Sequence, residues 1–250
     1  MSAFDEPHVV VSFEPKALER CYAVADVLEE VYGRSYAEYG LIGLAARSKP
    51  LLVAATPLLT GQHVSTGSVH QSGHNVLSMR HEISTLSKRL RLPLVPVAFI
   101  HRHPYGCEPS IIDDEFLGGP FIDQVSTVVS FSETRKVIPG DSHYACLDRR
   151  AMSQPSHTKR ARRTMLEVEF SIAFSLIVNK NRDHYVYAAR KERCPYCAEV
   201  SIRFVPAELA VSPDRALSQW ERNRIRKELE SEVAAKVRFD CDAAHMGITQ

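Results

Sequence analysis

Apolar residues recur along this chain with two periods, one typical of strands and one typical of helices. Short apolar runs predict strands at Val9–Phe13, Tyr39–Leu44, Leu51–Ala55, Leu94–Ile100, Val125–Phe131, Phe170–Val178, His184–Arg190 and Ile202–Val205. Apolar spacings of three and four residues predict helices, with buried positions at Leu18, Cys21, Ala25, Leu28 and Tyr32, and at Met79, Ile83, Leu86 and Leu90. The mixture predicts an α/β (α+β) fold class.

Capping residues and breaks in the pattern indicate where the first elements end. Pro15 suits the first position of the first helix, which we expect to end near Gly33. Residues 56–75 are rich in Gly, Ser, Thr, Gln and His and show neither period, so they predict a long loop. Asn75 could cap the second helix.

The later strands carry their own signals. Pro96 lies inside the predicted strand 94–100, which therefore has an edge position or a bulge. Residues 132–165 are polar and irregular. The turn-like residues 179–182 join two strand-like runs, which predicts a β-hairpin.

The C-terminal part of the sequence predicts a long amphipathic helix over Asp214–Arg238. Charges alternate on one side of it, and the other side carries Leu217, Trp220, Ile225, Leu229, Val233 and Val237. We expect a main domain over residues 1–205, with an insert at about 132–165, and a helical extension over 206–250.

Composition narrows the classes of protein to consider. Hydrophobic residues make up 44% and charged residues 24% of the 250-residue chain, as in ordinary globular domains. The 31 basic and 30 acidic residues nearly balance, so no overall field would attract nucleic acid or an anionic membrane. Neither a signal peptide nor an apolar stretch of about 20 residues is visible, so we expect a cytoplasmic protein without a membrane partner.

A local basic cluster, Lys159-Arg-Ala-Arg-Arg163, is the exception to this balance. It could bind an acidic partner or nucleic acid. Aromatic residues that could stack on bases are absent nearby, so a solvated loop is the favoured interpretation and a nucleic-acid partner is not expected.

The segment that follows the strand 94–100 carries the main chemical signal. His101 and His103 are two residues apart, so an extended backbone would place both imidazoles on one side. A new helix is expected to begin at Ser110 and to bring Asp113 back toward them. Two imidazoles and one carboxylate leave the fourth position of a tetrahedral zinc site open, as in catalytic zinc sites. Each part also has a structural explanation, because His pairs of this spacing are common and Ser110-x-x-Asp113 is a capping box, which is compatible with a metal site.

Together these residues resemble the signature of the JAB1/MPN/JAMM metalloprotease family. The signature is a glutamate on an early strand, then His-x-His-Pro, then Ser-x-x-Asp, and Glu38-Tyr-Gly-Leu-Ile-Gly43 is similar to the glutamate segment. All five positions are filled, over roughly residues 9–131. Six residues separate His103 from Ser110, one fewer than is usual in the family.

The resemblance implies a fold, a cofactor and an activity. The fold would be the MPN/JAMM (cytidine-deaminase-like) fold, a mixed β-sheet flanked by helices, which would make residues 1–205 a JAMM metallopeptidase domain. His101, His103 and Asp113 would hold one catalytic Zn2+. Glu38 would be the general base and Ser110 would stabilise the oxyanion. The expected activity is a zinc metallopeptidase of the deubiquitinase-like type, which uses zinc-activated water to cleave after the C-terminus of a ubiquitin-like protein, in precursor processing or in deconjugation.

Two further functional hypotheses stay open. The chain resembles bacterial deubiquitinase-like members of ubiquitin-like conjugation operons, some of them antiphage, but release of a small amino acid from a sulfur-carrier protein is a second enzymatic hypothesis. The alternative of another class is a RadC-like or scaffold MPN protein that binds nucleic acid or partners without hydrolysis, supported by the basic cluster.

The cysteines suggest a second metal site. In a reducing compartment six cysteines are expected to be buried thiols or metal ligands. Cys194-Pro-Tyr-Cys197 could be half of a structural zinc site, completed by His143 and Cys146 or by Cys241 and His245. A thioredoxin-like redox role is less favoured because no βαβ pattern surrounds the pair.

Overall fold

The structure is a computed structural model that describes residues 9–53, 57–59, 61–64, 69–71, 73–136, 165–193, 200–211 and 216–239. Its first half contains β1 (Val9–Phe13), α1 (Pro15–Glu30), β2 (Gly40–Ala46), β3 (Leu52–Val53), β4 (Leu58–Leu59), β5 (Gln62–Val64), β6 (Val69–Gln71), α2 (Gly73–Leu90) and β7 (Leu94–Arg102). Its second half contains α3 (Ile111–Phe116), a π-helical turn (Leu117–Phe121), α4 (Ile122–Ser126), β8 (Phe131–Lys136), β9 (Met165–Val178), β10 (His184–Arg193), β11 (Val200–Val211), α5 (Gln219–Lys236) and β12 (Val237–Phe239). The predicted α/β class is therefore confirmed. Within the described ranges, no helix is long and apolar enough to cross a membrane.

Seven strands of the main sheet close on themselves. Their order is β10-β11-β1-β3-β2-β7-β9, and β9 pairs again with β10 to complete the ring. The sheet is mixed, because β1 runs parallel to β3 and β11 and β7 runs parallel to β9, whereas the remaining ring pairs are antiparallel. The sequence predicted a mixed sheet but not its closure into a barrel.

Strand β7, which carries His101 and ends one residue before His103, lies between β2 and β9 in this ring. It pairs with β2 along its length, but with β9 only from Ala98 onward. Pro96 therefore has a strand neighbour on one side only, next to a register shift opposite Gly43/Leu44. Both expectations for this proline, a local edge and a bulge, are confirmed. Proline is tolerated at such positions because neither requires the backbone N–H that proline lacks.

Several predicted boundaries are wrong. Residues 56–75 contain the short strands β4, β5 and β6 rather than an irregular loop, and α2 begins at Gly73, so Asn75 lies within its first turn. Val125–Phe131 is not a strand: Val125 belongs to α4, and β8 begins only at Phe131. The buried residues Phe121, Ile122, Val125 and Val129 have helical spacing, and this packing outweighs the strand preference of the β-branched residues.

The C-terminal helix packs on the main domain. Ser218 caps α5 in a capping box with Glu221, and Ile225, Leu229 and Val233 are buried against the core. Ion pairs join the helix to α1, among them Lys16–Glu221 at 3.3 Å and Glu19–Arg222 at 2.9 Å. Trp220, predicted on the buried face, is 67% exposed. Strand β11 continues across the predicted domain boundary at residues 205/206.

Candidate metal centre

His101 lies in strand β7, and His103 follows the last residue of that strand, Arg102. The His103 N–H donates to the Val178 carbonyl oxygen at 3.0 Å, so the chain continues alongside β9, and residues two apart in an extended backbone point to the same side. The two imidazole rings make an edge contact with centroids 4.9 Å apart. The His101 ring also stacks on Phe99 at 4.9 Å and is buried, whereas His103 is partly exposed. Packing thus fixes the orientation of the inner imidazole before any ligand is considered.

The start of α3 brings Asp113 to these rings. Ser110 Oγ accepts a hydrogen bond from the Asp113 N–H at 3.3 Å, and Asp113 Oδ2 accepts one from the Ser110 N–H at 2.7 Å. This is the capping box predicted from the sequence, and it fixes the Asp113 carboxylate at the third helical position. Asp113 Oδ1 lies 3.0 Å from His101 Nε2, and Oδ2 lies 3.3 Å from His103 Nε2. The predicted convergence of His101, His103 and Asp113 is present.

The three side chains fit a metal ion. One ligand atom from each residue can be chosen so that all lie within 4.8 Å of one another. Both ring nitrogens of His101 are buried and make no hydrogen bond within the described chain, although Nε2 approaches Asp113 Oδ1. Buried polar atoms without partners are rare, and an ion between the imidazole and the carboxylate would give Nε2 a partner, although not Nδ1. Two imidazole nitrogens and one carboxylate oxygen are a catalytic zinc donor set.

The protonation states favoured at His101 and Asp113 are suited to binding a cation, whereas a metal ion would have to displace a proton from His103. Burial lowers the pKa of His101, although Asp113 opposes this shift, and a neutral imidazole is the form that binds metal. The hydrogen bond to Asp113 raises the pKa of His103. Burial alone would raise the pKa of Asp113, but contacts with His101 and His103 and the Ser110 N–H hold it well below its usual range. The carboxylate is therefore negative at neutral pH.

Glu38 lies within electrostatic reach of this group. It is half-buried, and burial raises the pKa of its carboxyl group, while Asp113 raises it further and His103 opposes the rise. Glu38 does not belong to the set of mutually close ligand atoms. Glu38 is therefore a carboxylate within electrostatic reach of the centre and outside the ligand set, and its role as a general base stays a prediction.

Three side chains that the sequence did not single out hold the segment around Glu38. Arg102 donates to the carbonyl oxygens of Ser35 and Ala37. The Tyr39 hydroxyl donates to the carbonyl oxygen of Cys21. Gln62 accepts from the Gly40 N–H at 2.7 Å and donates to the Gly40 carbonyl at 3.0 Å. The sequence signal for Arg102 is its place between the two histidines of the His-x-His motif.

Other predicted functional residues lie outside the described residues. These are Cys194 and Cys197, their predicted partners His143, Cys146, Cys241 and His245, and the basic cluster 159–163. The second zinc site, like the nucleic-acid alternative that depends on the basic cluster, therefore stays a prediction.

The comparisons with known proteins add no assignment of family. No protein-family model matches the sequence, and the search of curated proteins finds no match either. A function can therefore be inferred only from the geometry of the five residues Glu38, His101, His103, Ser110 and Asp113.

Proposed function

We propose that this protein is a zinc-dependent isopeptidase or peptidase of the JAB1/MPN/JAMM type. It cleaves after the C-terminus of a ubiquitin-like protein, either in a precursor or in a conjugate. The observation that carries the proposal is the Asp113 carboxylate, which lies 3.0 Å from His101 Nε2 and 3.3 Å from His103 Nε2. A capping box accounts for the pairing of Ser110 with Asp113, but it does not account for two imidazoles directed at the same carboxylate.

The order of elements supports an MPN-type fold. A strand, a helix, a glutamate segment, a second helix and the histidine strand follow one another as β1, α1, the segment before β2, α2 and β7. Gly40 pairs directly with His101 across β2 and β7, so the glutamate segment enters the sheet beside the first ligand. This neighbourhood is what a base acting next to a metal requires.

His101, His103 and Asp113 would hold the zinc ion, with Asp113 Oδ2 already bound by Ser110 and Oδ1 facing His101. When bound there, zinc supplies Lewis-acid activation of a water molecule and of the scissile carbonyl group. Glu38 accepts a proton from the attacking water and delivers it to the leaving amine. Burial suits Glu38 to both steps, because it raises the pKa of the carboxyl group in the direction of neutral pH. The carboxylate is then a better proton acceptor, and the proton that it gains can be passed on near that pH.

Ser110 can stabilise the negative charge that develops on the carbonyl oxygen. Its hydroxyl donates to Asp113 Oδ2 at 2.7 Å, so it must turn away from the carboxylate to donate to a substrate. The Ser110 N–H, which also donates to Oδ2 at 2.7 Å, keeps the carboxylate in place when the hydroxyl turns. Ser110 is exposed, so a substrate carbonyl can reach it.

Zinc content and hydrolysis measured together test the proposal. We expect about one zinc bound at this centre in the wild type by elemental analysis, lost in a His101→Ala/His103→Ala double variant. On a panel of ubiquitin-like proteins with a fluorogenic C-terminal amide, Glu38→Gln should retain zinc and lose about 10²–10⁴-fold in kcat. A wild type purified without chelator that contains no zinc, or a double variant that keeps all of it, would overturn the metallopeptidase assignment.

The same samples separate hydrolysis from a binding role. A zinc-loaded wild type that cleaves no member of the panel, and that loses DNA binding when residues 159–163 are replaced, would favour the RadC-like alternative. Cleavage abolished by Glu38→Gln would exclude it as the main activity.

A further inference from the structure

Arg102, the last residue of β7, is a buried cation between His101 and His103 in the chain. It is 0% exposed, and strand alternation directs its side chain to the face opposite His101 and His103. No ion pair is found for its guanidinium among the described residues, and its Nε makes no hydrogen bond there. Burial of a charge without a carboxylate partner is costly, so what the side chain does contact is informative.

Its contacts are with one short stretch of backbone. Nη2 donates to the Ser35 carbonyl at 2.7 Å and Nη1 donates to the Ala37 carbonyl at 3.3 Å. The Arg102 backbone N–H donates to the Tyr39 carbonyl at 3.1 Å. These three acceptors lie on both sides of Glu38, within an irregular segment between α1 and β2.

The segment has little regular structure to hold it. Residues 35–39 belong to no helix or strand. The Ala37 N–H donates a hydrogen bond to the Arg34 carbonyl oxygen at 3.2 Å, which closes only a local turn. The guanidinium is planar and presents its donors in a fixed fork, so two carbonyl contacts restrict the segment in orientation as well as in position. Because Arg102 lies between His101 and His103 in the chain, its side chain connects the glutamate segment directly to the end of β7, where both imidazoles are.

We propose that Arg102 is a positioning residue, which holds Glu38 at its working place beside the metal centre by binding the carbonyl groups of Ser35 and Ala37. This inference rests on the proposed function for its catalytic meaning, but its structural part does not. Arg102 contacts none of the proposed ligands through its side chain, so its removal leaves the metal-binding set intact.

Arg102→Met and Arg102→Lys test the inference, with Arg20→Met as the matched control. Arg20 is also a buried arginine, with 2% of its surface exposed, and it donates to the carbonyl oxygen of Pro57 at 2.9 Å. Unlike Arg102, it lies in α1 and forms an ion pair with Glu232. We expect Arg102→Met to keep its zinc and to lose about 10²-fold in kcat with little change in KM, as for a displaced catalytic group. Arg102→Lys, which can donate to one carbonyl, should lose less, and Arg20→Met should keep its kcat.

Two further measurements make the outcome independent of folding and of the proposed function. The Glu38→Gln/Arg102→Met double variant should be no slower than Glu38→Gln alone, because the two changes disable the same group. Amide hydrogen exchange at residues 35–40 should speed up in Arg102→Met and not in Arg20→Met.

An unchanged kcat in an active Arg102→Met, or additive losses in the double variant, would overturn the positioning role. If the wild type bound no zinc and cleaved nothing, the proposed function would fail, and hydrogen exchange would decide alone: unchanged protection of residues 35–40 would then overturn the inference as well.

Discussion

At the scale of single residues, the Ser110 hydroxyl both caps α3 and lies beside the proposed ligand Asp113. Substitution by Gly separates these roles, because Gly at an N-cap costs only a few tenths of a kcal/mol relative to Ser. We expect the free energy of unfolding of Ser110→Gly, measured in urea, to lie within about 0.5 kcal/mol of the wild-type value, and we expect the variant to keep its zinc. Its kcat should fall about 10²-fold if the hydroxyl stabilises the oxyanion.

Ser110→Thr is the matched control, since it keeps a hydroxyl group and a good N-cap. Wild-type kcat in Ser110→Gly would show that the hydroxyl only caps the helix. Loss of zinc in that variant would instead show that the capping box is needed to place Asp113.

The residues of the candidate site differ in how far the sequence could predict them. His101 and His103 were predictable from strand alternation, and Asp113 from the capping box, because both patterns are local. The role of Arg102 was not, since its contact with the Ser35 carbonyl joins residues 67 positions apart. Gln62 was missed for the same reason, as it supports Gly40 from across 22 positions.

At the scale of elements, the contact between β2 and β7 depends on a residue without a side chain. A Cβ atom added at Gly43 would lie 2.8 Å from Ala98 Cβ and 3.3 Å from side-chain atoms of Ile100 and Val53. The strands must therefore shift, and we expect Gly43→Ala to lower the free energy of unfolding by about 1–3 kcal/mol. The control is Gly106→Ala, where an added Cβ meets nothing within 4 Å, and a similar loss there would contradict the steric explanation.

Helix α5 allows a second comparison between two large apolar residues. Leu229 is fully buried, whereas Trp220 is 67% exposed although the sequence placed it on the same face. We expect Leu229→Ala to cost about 2–5 kcal/mol of unfolding free energy, and Trp220→Ala about 0.5 kcal/mol or less. Equal losses in chemical denaturation would show that Trp220 is covered in solution.

Two of the wrong predictions, the buried position of Trp220 and the strand at Val125–Phe131, have one physical cause. Trp220 lies in the first turn of α5, and Val125 lies in a short helix that follows the π-helical turn, so both are near element ends where packing rather than period decides burial. Long elements with several repeats of the pattern, such as α1 and the β9–β10 hairpin, were predicted correctly. Periodicity thus predicts the interior of an element better than its ends.

At the scale of the whole molecule, closure of the sheet depends on pairings that no local pattern contains. In the main sheet β1 pairs with β11, joining Val9 to Ala207. In a separate three-stranded sheet, β12-β5-β6, β12 pairs with β5 and joins Val237 to Gln62. Gln62 in turn holds Gly40, two residues after Glu38. The C-terminal segment is therefore connected to the glutamate segment through one short strand, which the expectation of a separate helical extension did not include.

The proposed metal centre should also stabilise the whole fold, because its ligands come from β7, from the residue that follows β7 and from α3. A ligand that binds only the native state stabilises it by about 2.7 kcal/mol at 100 times its Kd. For a chain of this size that corresponds to a Tm shift of about 5–10 °C. We expect excess chelator to lower the wild-type Tm by about this amount in thermal unfolding followed by circular dichroism, and added zinc to restore it.

The His101→Ala/His103→Ala variant is the control for that measurement. Its Tm should not respond to chelator, because the donors that distinguish metal-bound from metal-free protein are gone. A wild-type Tm that chelator leaves unchanged would contradict a bound metal that stabilises the native state. A chelator shift that persists in the double variant would instead indicate a zinc ion elsewhere, with Cys194 and Cys197 the first residues to replace.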